Sequence, residues 1–438
     1  MKNPILRIAL PSIVSNITVP LLGLVDAAIA GHLGSPVCLG AIAVGGMIFN
    51  MLYWLFSFLR MGTGGLTAQA FGASRPDEAF RVLLRSLGVA VSFGLLFILC
   101  QMPILHLVFH FLSATPEVKA SARIYYSILI WGAPAVMSLY SFVGWFLGMQ
   151  NARFPMYISI VQNVLNIAVS LILVVSLKMR IEGVAIGTLV AQYGGLVLAI
   201  FLWRKHYARL FVRQALKDLW QRAPIARFFA VNRDIFLRTL CLVAVTTSFT
   251  SFGAAMGDLT LAGNALLMQF FILFSYVMDG FAYAGEALGG RYVGATSRQP
   301  FVRLTRHLFC WGVSLAVAFT LLYAVGGGWI LEILTNETDV VSAARPLLPL
   351  VCCVPLVSMP AFVFDGLYIG ATATRQMLLS MAAATGVFFA MQAVLPPGNP
   401  MLWVSFLCYL GTRGLVQAFL YHVVVRRAFV RVRSVPGA

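Results

Sequence analysis

Twelve apolar stretches, each about the 20 residues needed to cross a roughly 30 Å hydrocarbon core, fall near 5–30, 38–60, 82–110, 124–148, 155–176, 183–203, 235–256, 261–288, 304–329, 345–370, 376–396 and 400–424. In lipid every backbone N–H and C=O needs a partner within the chain, so stretches of this length are helices. The chain is 60% hydrophobic and 10% charged, well below the quarter charged that is usual in soluble domains. The sequence therefore predicts an all-α integral membrane protein of twelve transmembrane helices.

Charge placement sets the orientation, because cytoplasmic loops retain Lys and Arg. With the N-terminus inside, the inner segments hold 24 of the 31 basic residues and the outer loops hold 5, while Arg60 and Arg413 lie within or near spans. Both termini are expected in the cytoplasm. The net charge of +17 is then an orientation signal and an attraction to anionic lipid, with no nucleic-acid partner implied. Lys2 and Arg7 ahead of an apolar run resemble a signal peptide, but the run is about twice the usual length, so cleavage is not expected. The seven cysteines lie in apolar stretches without a CxxC spacing, and read as packing residues rather than disulfides or metal ligands.

A shift of 222 residues pairs Gly31 with Gly253, Gly72 with Gly294, Ala73 with Ala295, Arg81 with Arg303, Gly148 with Gly370 and Arg153 with Arg375. One unbroken offset serving all six pairs indicates an internal duplication. The expected arrangement is two pseudo-symmetric six-helix bundles, residues 1–220 and 221–438, joined by the basic segment Arg204 to Arg238. Six spans per half make the repeats parallel, and transporters built this way place the site between repeats and rock one against the other. The second half already supplies the first with a partner, so a monomer is expected.

Asp26 sits inside the first apolar stretch of a chain with only 14 acidic residues. A carboxylate in hydrocarbon costs roughly 2.5–3.5 kcal/mol on insertion scales and needs a partner or a task. Pro11 and Pro20 on the same span permit bending, which would link protonation of Asp26 to helix shape. The blander alternative is a hydrogen-bonded carboxylate at the outer end of the helix. Asn163, Asn166 and Ser170 share one face of span 5, and Thr188 near the start of span 6 can complete a polar cluster. Such groups can hydrogen-bond Asp26 or join it in offering oxygens to a small cation; structural interhelical hydrogen bonds are the alternative.

In the second half Asp279 and Glu286 lie two turns apart on span 8, and Asp365 lies late in span 10. Buried carboxylates in a cavity attract cationic ligands and can exchange protons. The alternative is that Asp365 and Glu286 pair with Arg60 or Arg291 as structural bridges. His106 and His110 are spaced i, i+4 without the further ligands that zinc requires, and no HExxH or Walker sequence is present. ATP is not the expected energy source.

The segments ALPSIVSN around Pro11, VDAAIAGHLG from Val25, TAQAFGA, FLGMQNARFP and DGFAYAGEALGG resemble the multidrug and toxic compound extrusion (MATE) family, in its DinF branch, along essentially the whole chain. The resemblance implies a cation-coupled antiporter that exports amphipathic, often cationic compounds by alternating access, not an enzyme, and located in a bacterial inner membrane. It places the family's coupling aspartate on Asp26, its span 5 asparagine on Asn166 and its span 6 threonine on Thr188. Related members usually carry an aspartate where this chain has Ser170. Loss of that carboxylate favours proton over sodium coupling, with no other cofactor expected. Two other readings compete. A flippase for lipids or lipid-linked oligosaccharides would need more basic residues facing a cavity, and an intramembrane enzyme would need paired carboxylates such as Asp279 and Asp365 at close range.

Overall fold

Proline opens and glycine closes many of the helices. In the computed structural model, described over residues 4–31, 36–111, 115–210, 219 and 221–430, the first half comprises α1 (Pro4–Gly31), α2 (Pro36–Leu55), α3 (Phe58–Gly72), α4 (Pro76–Leu99), α5 (Gln101–Phe111), α6 (Pro116–Leu129), α7 (Ala133–Gly148), α8 (Arg153–Leu171) and α9 (Ile181–Tyr207). The second half comprises α10 (Arg222–Ala255), α11 (Asp258–Gly294), α12 (Arg298–Leu334), α13 (Thr338–Ala344), α14 (Leu348–Gly370), α15 (Thr374–Val394) and α16 (Asn399–Val430). Among the described residues there is no strand. The pairs α2 and α3, α6 and α7, and α13 and α14 each make one crossing, and ten segments among the described residues are long and apolar enough to span a membrane. With α1 and α16 the helices form the expected twelve spans. Large apolar side chains such as Leu99, Val325, Val394 and Phe419 are exposed, as lipid-facing positions require.

Several boundaries differ from those read in the sequence. Helix α4 begins at Pro76 and α10 at Arg222, so Arg81, Arg85, Arg227, Arg233 and Arg238, all assigned to loops by their charge, lie within helices. Hydropathy locates the hydrocarbon core and not the helix ends, because long basic side chains can run along a helix to reach a polar group. Arg85 and Arg238 are buried, which corrects the reading that Arg60 and Arg413 are the only basic residues outside loops.

The described chain forms two compact units, one of Val14–Phe71 and Arg75–Phe228 and the other of Met1–Ile13, Gly72–Ser74 and Phe229–Ala438. In the first, α8 packs on α9, α4 on α7, and α6 on both α2 and α9. In the second, α14 lies against α11, α12, α15 and α16. The first turns of α1 belong to this second unit. A Cβ on Gly280 of α11 would meet the Ala9 carbonyl and the Ile13 side chain.

The 222-residue offset reappears in backbone geometry. Non-glycine residues with left-handed φ end helices at Ser74 (55°) and Thr296 (54°), and at Gln150 (65°) and Thr372 (51°). Each is followed by the N–H bond of a helix C-cap that reaches five residues back. These run from Arg75 to the Ala70 carbonyl and from Ser297 to that of Tyr292, and again from Asn151 to Phe146 and from Ala373 to Tyr368. Close helix approaches repeat as well. A Cβ on Gly144 would strike the Arg60 carbonyl and one on Gly366 the Ala282 carbonyl; Gly148 and Gly370 stand equally close to the Gly64 and Glu286 carbonyls.

Candidate functional site

The polar stripe on α8 faces α1 and α9. Ser159 Oγ lies 2.6 Å from Thr18 Oγ1 and 3.4 Å from the Ser15 carbonyl. One turn on, Asn163 Nδ2 donates to the Thr18 carbonyl at 2.9 Å. A further turn along, Asn166 Nδ2 donates to Thr188 Oγ1 at 2.9 Å. The Thr188 hydroxyl has one proton and two acceptors, Asp26 Oδ2 at 3.1 Å and the Val184 carbonyl at 3.1 Å. Gly187 lets α9 come this close, since a Cβ there would overlap Ser170 Oγ on α8. Three and four residue spacings on α8 thus reach α1 twice and α9 twice, and Asp26 is drawn into the cluster through Thr188.

Asp26, Asn166, Ser170 and Thr188 are all buried, with Asp26 4% exposed. No Lys, Arg or His pairs with Asp26 among the described residues. Asp26 Oδ1, Asn166 Oδ1 and Ser170 Oγ are buried oxygens that make no hydrogen bond. Tyr125 of α6, seated against Gly45, is also buried and lies within electrostatic reach of Asp26. Sequence reasoning missed Tyr125, because an isolated tyrosine in an apolar helix carries no periodic signal. Helix α1 is continuous through Pro11 and Pro20.

The second half builds something else around Asp365. Arg238 Nη2 of α10 donates to Asp365 Oδ2 at 2.5 Å, Arg413 of α16 donates to the same oxygen, and Gln417 Nε2 one turn further donates to Oδ1 at 2.6 Å. All four residues are buried. The Arg413 guanidinium also lies 5.9 Å from the Phe362 ring centre. Asp365 therefore pairs with Arg238 and Arg413, which corrects the expectation of Arg60 or Arg291. Its full set of donors follows from burial: a lone carboxylate inside the bundle is tolerated when charge and hydrogen bonds both compensate it. The signal for this cluster was two opposite charges in apolar spans, Asp365 and Arg413, and Arg238 was hidden in a basic run. Glu286 is buried at 1% exposure, and Asp279 is half-buried within electrostatic reach of Arg413. The seven cysteines are all free.

The family model MatE matches residues 11–172 and again 235–394. The two matches end 222 residues apart, as the duplication requires. The chain is 38% identical over 417 residues to the DNA damage-inducible protein F of Escherichia coli (strain K12), covering 95% of this chain and 91% of that protein. The fold superposes on a solved MATE structure in the bent conformation with a TM-score of 0.84 at 17% identity, covering 98% of this chain and 97% of that one. A second, an outward-facing multidrug resistance MATE family transporter of the MOP superfamily, gives 0.79 at 18% identity, covering 98% and 96%. With both halves matched by one family model and a near full-length relative at this level of identity, the chain belongs to the MatE family of membrane transporters.

Proposed function

We propose that this protein is a secondary antiporter that expels amphipathic, often cationic small molecules in exchange for protons, with Asp26 as the coupling group. One observation carries the reading: Asp26 is a deeply buried carboxylate with no cationic partner among the described residues, held by neutral groups, the Thr188 hydroxyl, which has a second acceptor, and the Asn166 amide beside it. A buried charge left uncompensated is poised to take up a proton. With Asp26 ionised, the Thr188 hydroxyl points to it. With Asp26 protonated, the carboxyl O–H can donate to Thr188 Oγ1 and the hydroxyl turns to the Val184 carbonyl. Proton uptake thus changes which bonds tie α1 to α9.

Pro20 has no N–H to bond the carbonyl four residues back, which makes α1 easy to bend there. That point lies between the α8 contacts at Ser15 and Thr18 and the carboxylate at Asp26. Protonation is proposed to favour one bent state, and a gradient of 100 mV supplies about 2.3 kcal/mol per charge, enough to concentrate a substrate some tens of fold. The name of the solved multidrug resistance neighbour supports this substrate class. The proposed location is a bacterial inner membrane with both termini cytoplasmic, and the proposed form is a monomer of two six-helix lobes, 1–220 and 221–438.

The unbonded oxygens of Asp26, Asn166 and Ser170 favour one alternative, a sodium ion held by these groups. Uptake of a fluorescent organic cation into inverted membrane vesicles separates the two. Accumulation driven by a pH gradient alone and lost in Asp26→Asn is the expected result. Accumulation driven by sodium alone would replace proton with sodium coupling, and normal export by Asp26→Asn would remove Asp26 from the mechanism.

A further inference from the structure

Duplicated arginines meet different fates in the two halves. At the start of α4, Arg81 is neutralised by Asp77 at 3.3 Å and Glu78 at 3.2 Å. Its counterpart at the start of α12 is Arg303, and the positions of Asp77 and Glu78 are there taken by Gln299 and Pro300. Further arginines are added on either side, Arg298 and Arg306, where the first half has Pro76 and Leu84. None of the three guanidiniums makes an ion pair or hydrogen bond among the described residues. Together with Gln299 and Val302 they line a wide-open recess on one face of the helix, with no acidic side chain among its lining.

The rest of α12 states what fits there. From Arg306 the same helical face continues through Cys310, Val313, Val317, Leu321 and Val325, all exposed and, apart from the thiol, purely aliphatic. A cationic surface recess at the first turns, where the helix N-terminus also favours negative charge, thus continues into a long bare hydrocarbon ridge. Tyr421 of α16 bonds Thr305 at 2.9 Å and lies within electrostatic reach of Arg298 and Arg306, the placing of an amphipathic side chain at a membrane boundary. We propose that the start of α12 binds an anionic phospholipid of the cytoplasmic leaflet, its phosphate among Arg298, Arg303 and Arg306 and an acyl chain along the Val313 to Val325 ridge. The assignment to that leaflet rests on the charge-based orientation; the coupling mechanism at Asp26 is independent of it.

Native mass spectrometry of the full-length protein tests the site, with phosphatidylglycerol and phosphatidylethanolamine of the same chain length added separately. Wild type is compared with R298Q/R303Q/R306Q and with a control of equal charge loss, R204Q/R209Q/R222Q, also at exposed positions. The expected result is a loss on the order of a hundredfold in the preference for phosphatidylglycerol in the first variant only. Equal losses in both variants would mean diffuse charge attraction, and an unchanged preference in the first would mean no site; either overturns the proposal. Competition by millimolar inorganic phosphate that removes the lipid regardless of its chain length would make this a free-phosphate site and would overturn it too. Dye transport by the same variants keeps the two proposals apart, since loss of lipid preference with intact proton-driven export bears on this site alone.

Discussion

The two halves share a backbone plan but differ in their buried polar groups. In the first, Asp26, Tyr125, Asn166 and Thr188 make a buried polar cluster; the residues 222 positions on are Ser248, Leu347, Phe388 and Leu410, the last three within the hydrophobic core of the second half. In the second, Arg238, Asp365, Arg413 and Gln417 make a closed ionic cluster; the residues 222 positions before them are Asn16, Val143, Ala191 and Gly195. Even the hydroxyl chain from Thr63 through Ser86 to Ser141, with both links at 2.7 Å, is replaced by Gly285, Leu308 and Val363. The caps and glycine contacts that fix helix geometry survived duplication, while the buried polar groups diverged. Among the described residues, one carboxylate was left without a counter-charge and the other was held between two.

The largest effect expected from this contrast is functional. Asp26→Asn should reduce gradient-driven dye uptake to the vesicle background while leaving thermal stability in detergent near wild type, because it removes an uncompensated buried charge. A variant that is inactive only because it is unfolded would break the comparison. Asp365→Asn should do the reverse on the stability axis. It strands two guanidiniums in the bundle, at about 3–5 kcal/mol, and a melting temperature unchanged from wild type would show that Asp365 is as weakly compensated as Asp26.

Intermediate effects test what the halves share. Gly144→Ala and Gly366→Ala each drive a methyl group into a facing carbonyl, and overpacking of this kind costs about 1–3 kcal/mol. The two should destabilise alike in denaturant or thermal melts, and a difference larger than their common cost would argue against equivalent packing. The smallest effect is expected for Ser86→Ala, which breaks the hydroxyl chain. Interhelical hydrogen bonds in membranes average about 0.6 kcal/mol, and a loss of several kcal/mol would mean the chain does more than join helices.

Much of the fold was legible without coordinates because lipid removes alternatives. A stretch such as Pro76–Leu99 has no option but a helix, and the unbroken offset linking Gly148 with Gly370 reported the duplication before the caps at Gln150 and Thr372 displayed it. The stripe of Asn163, Asn166 and Ser170 was legible because side chains three and four apart share a face. Helix ends were less legible: the basic run that concealed Arg238 continues into α10, and composition cannot say where solvent stops along a helix.

The sequence alone determined the number of spans, the repeat, the charge asymmetry and the isolation of Asp26 in an apolar stretch. Only the tertiary structure decided the partners. Whether a buried carboxylate stays uncompensated like Asp26 or is clamped like Asp365 depends on which side chains other helices bring to it, here Thr188 from 162 positions away and Arg238 from 127. Spacing fixes the face of a helix on which a residue lies, whereas packing fixes what that face meets.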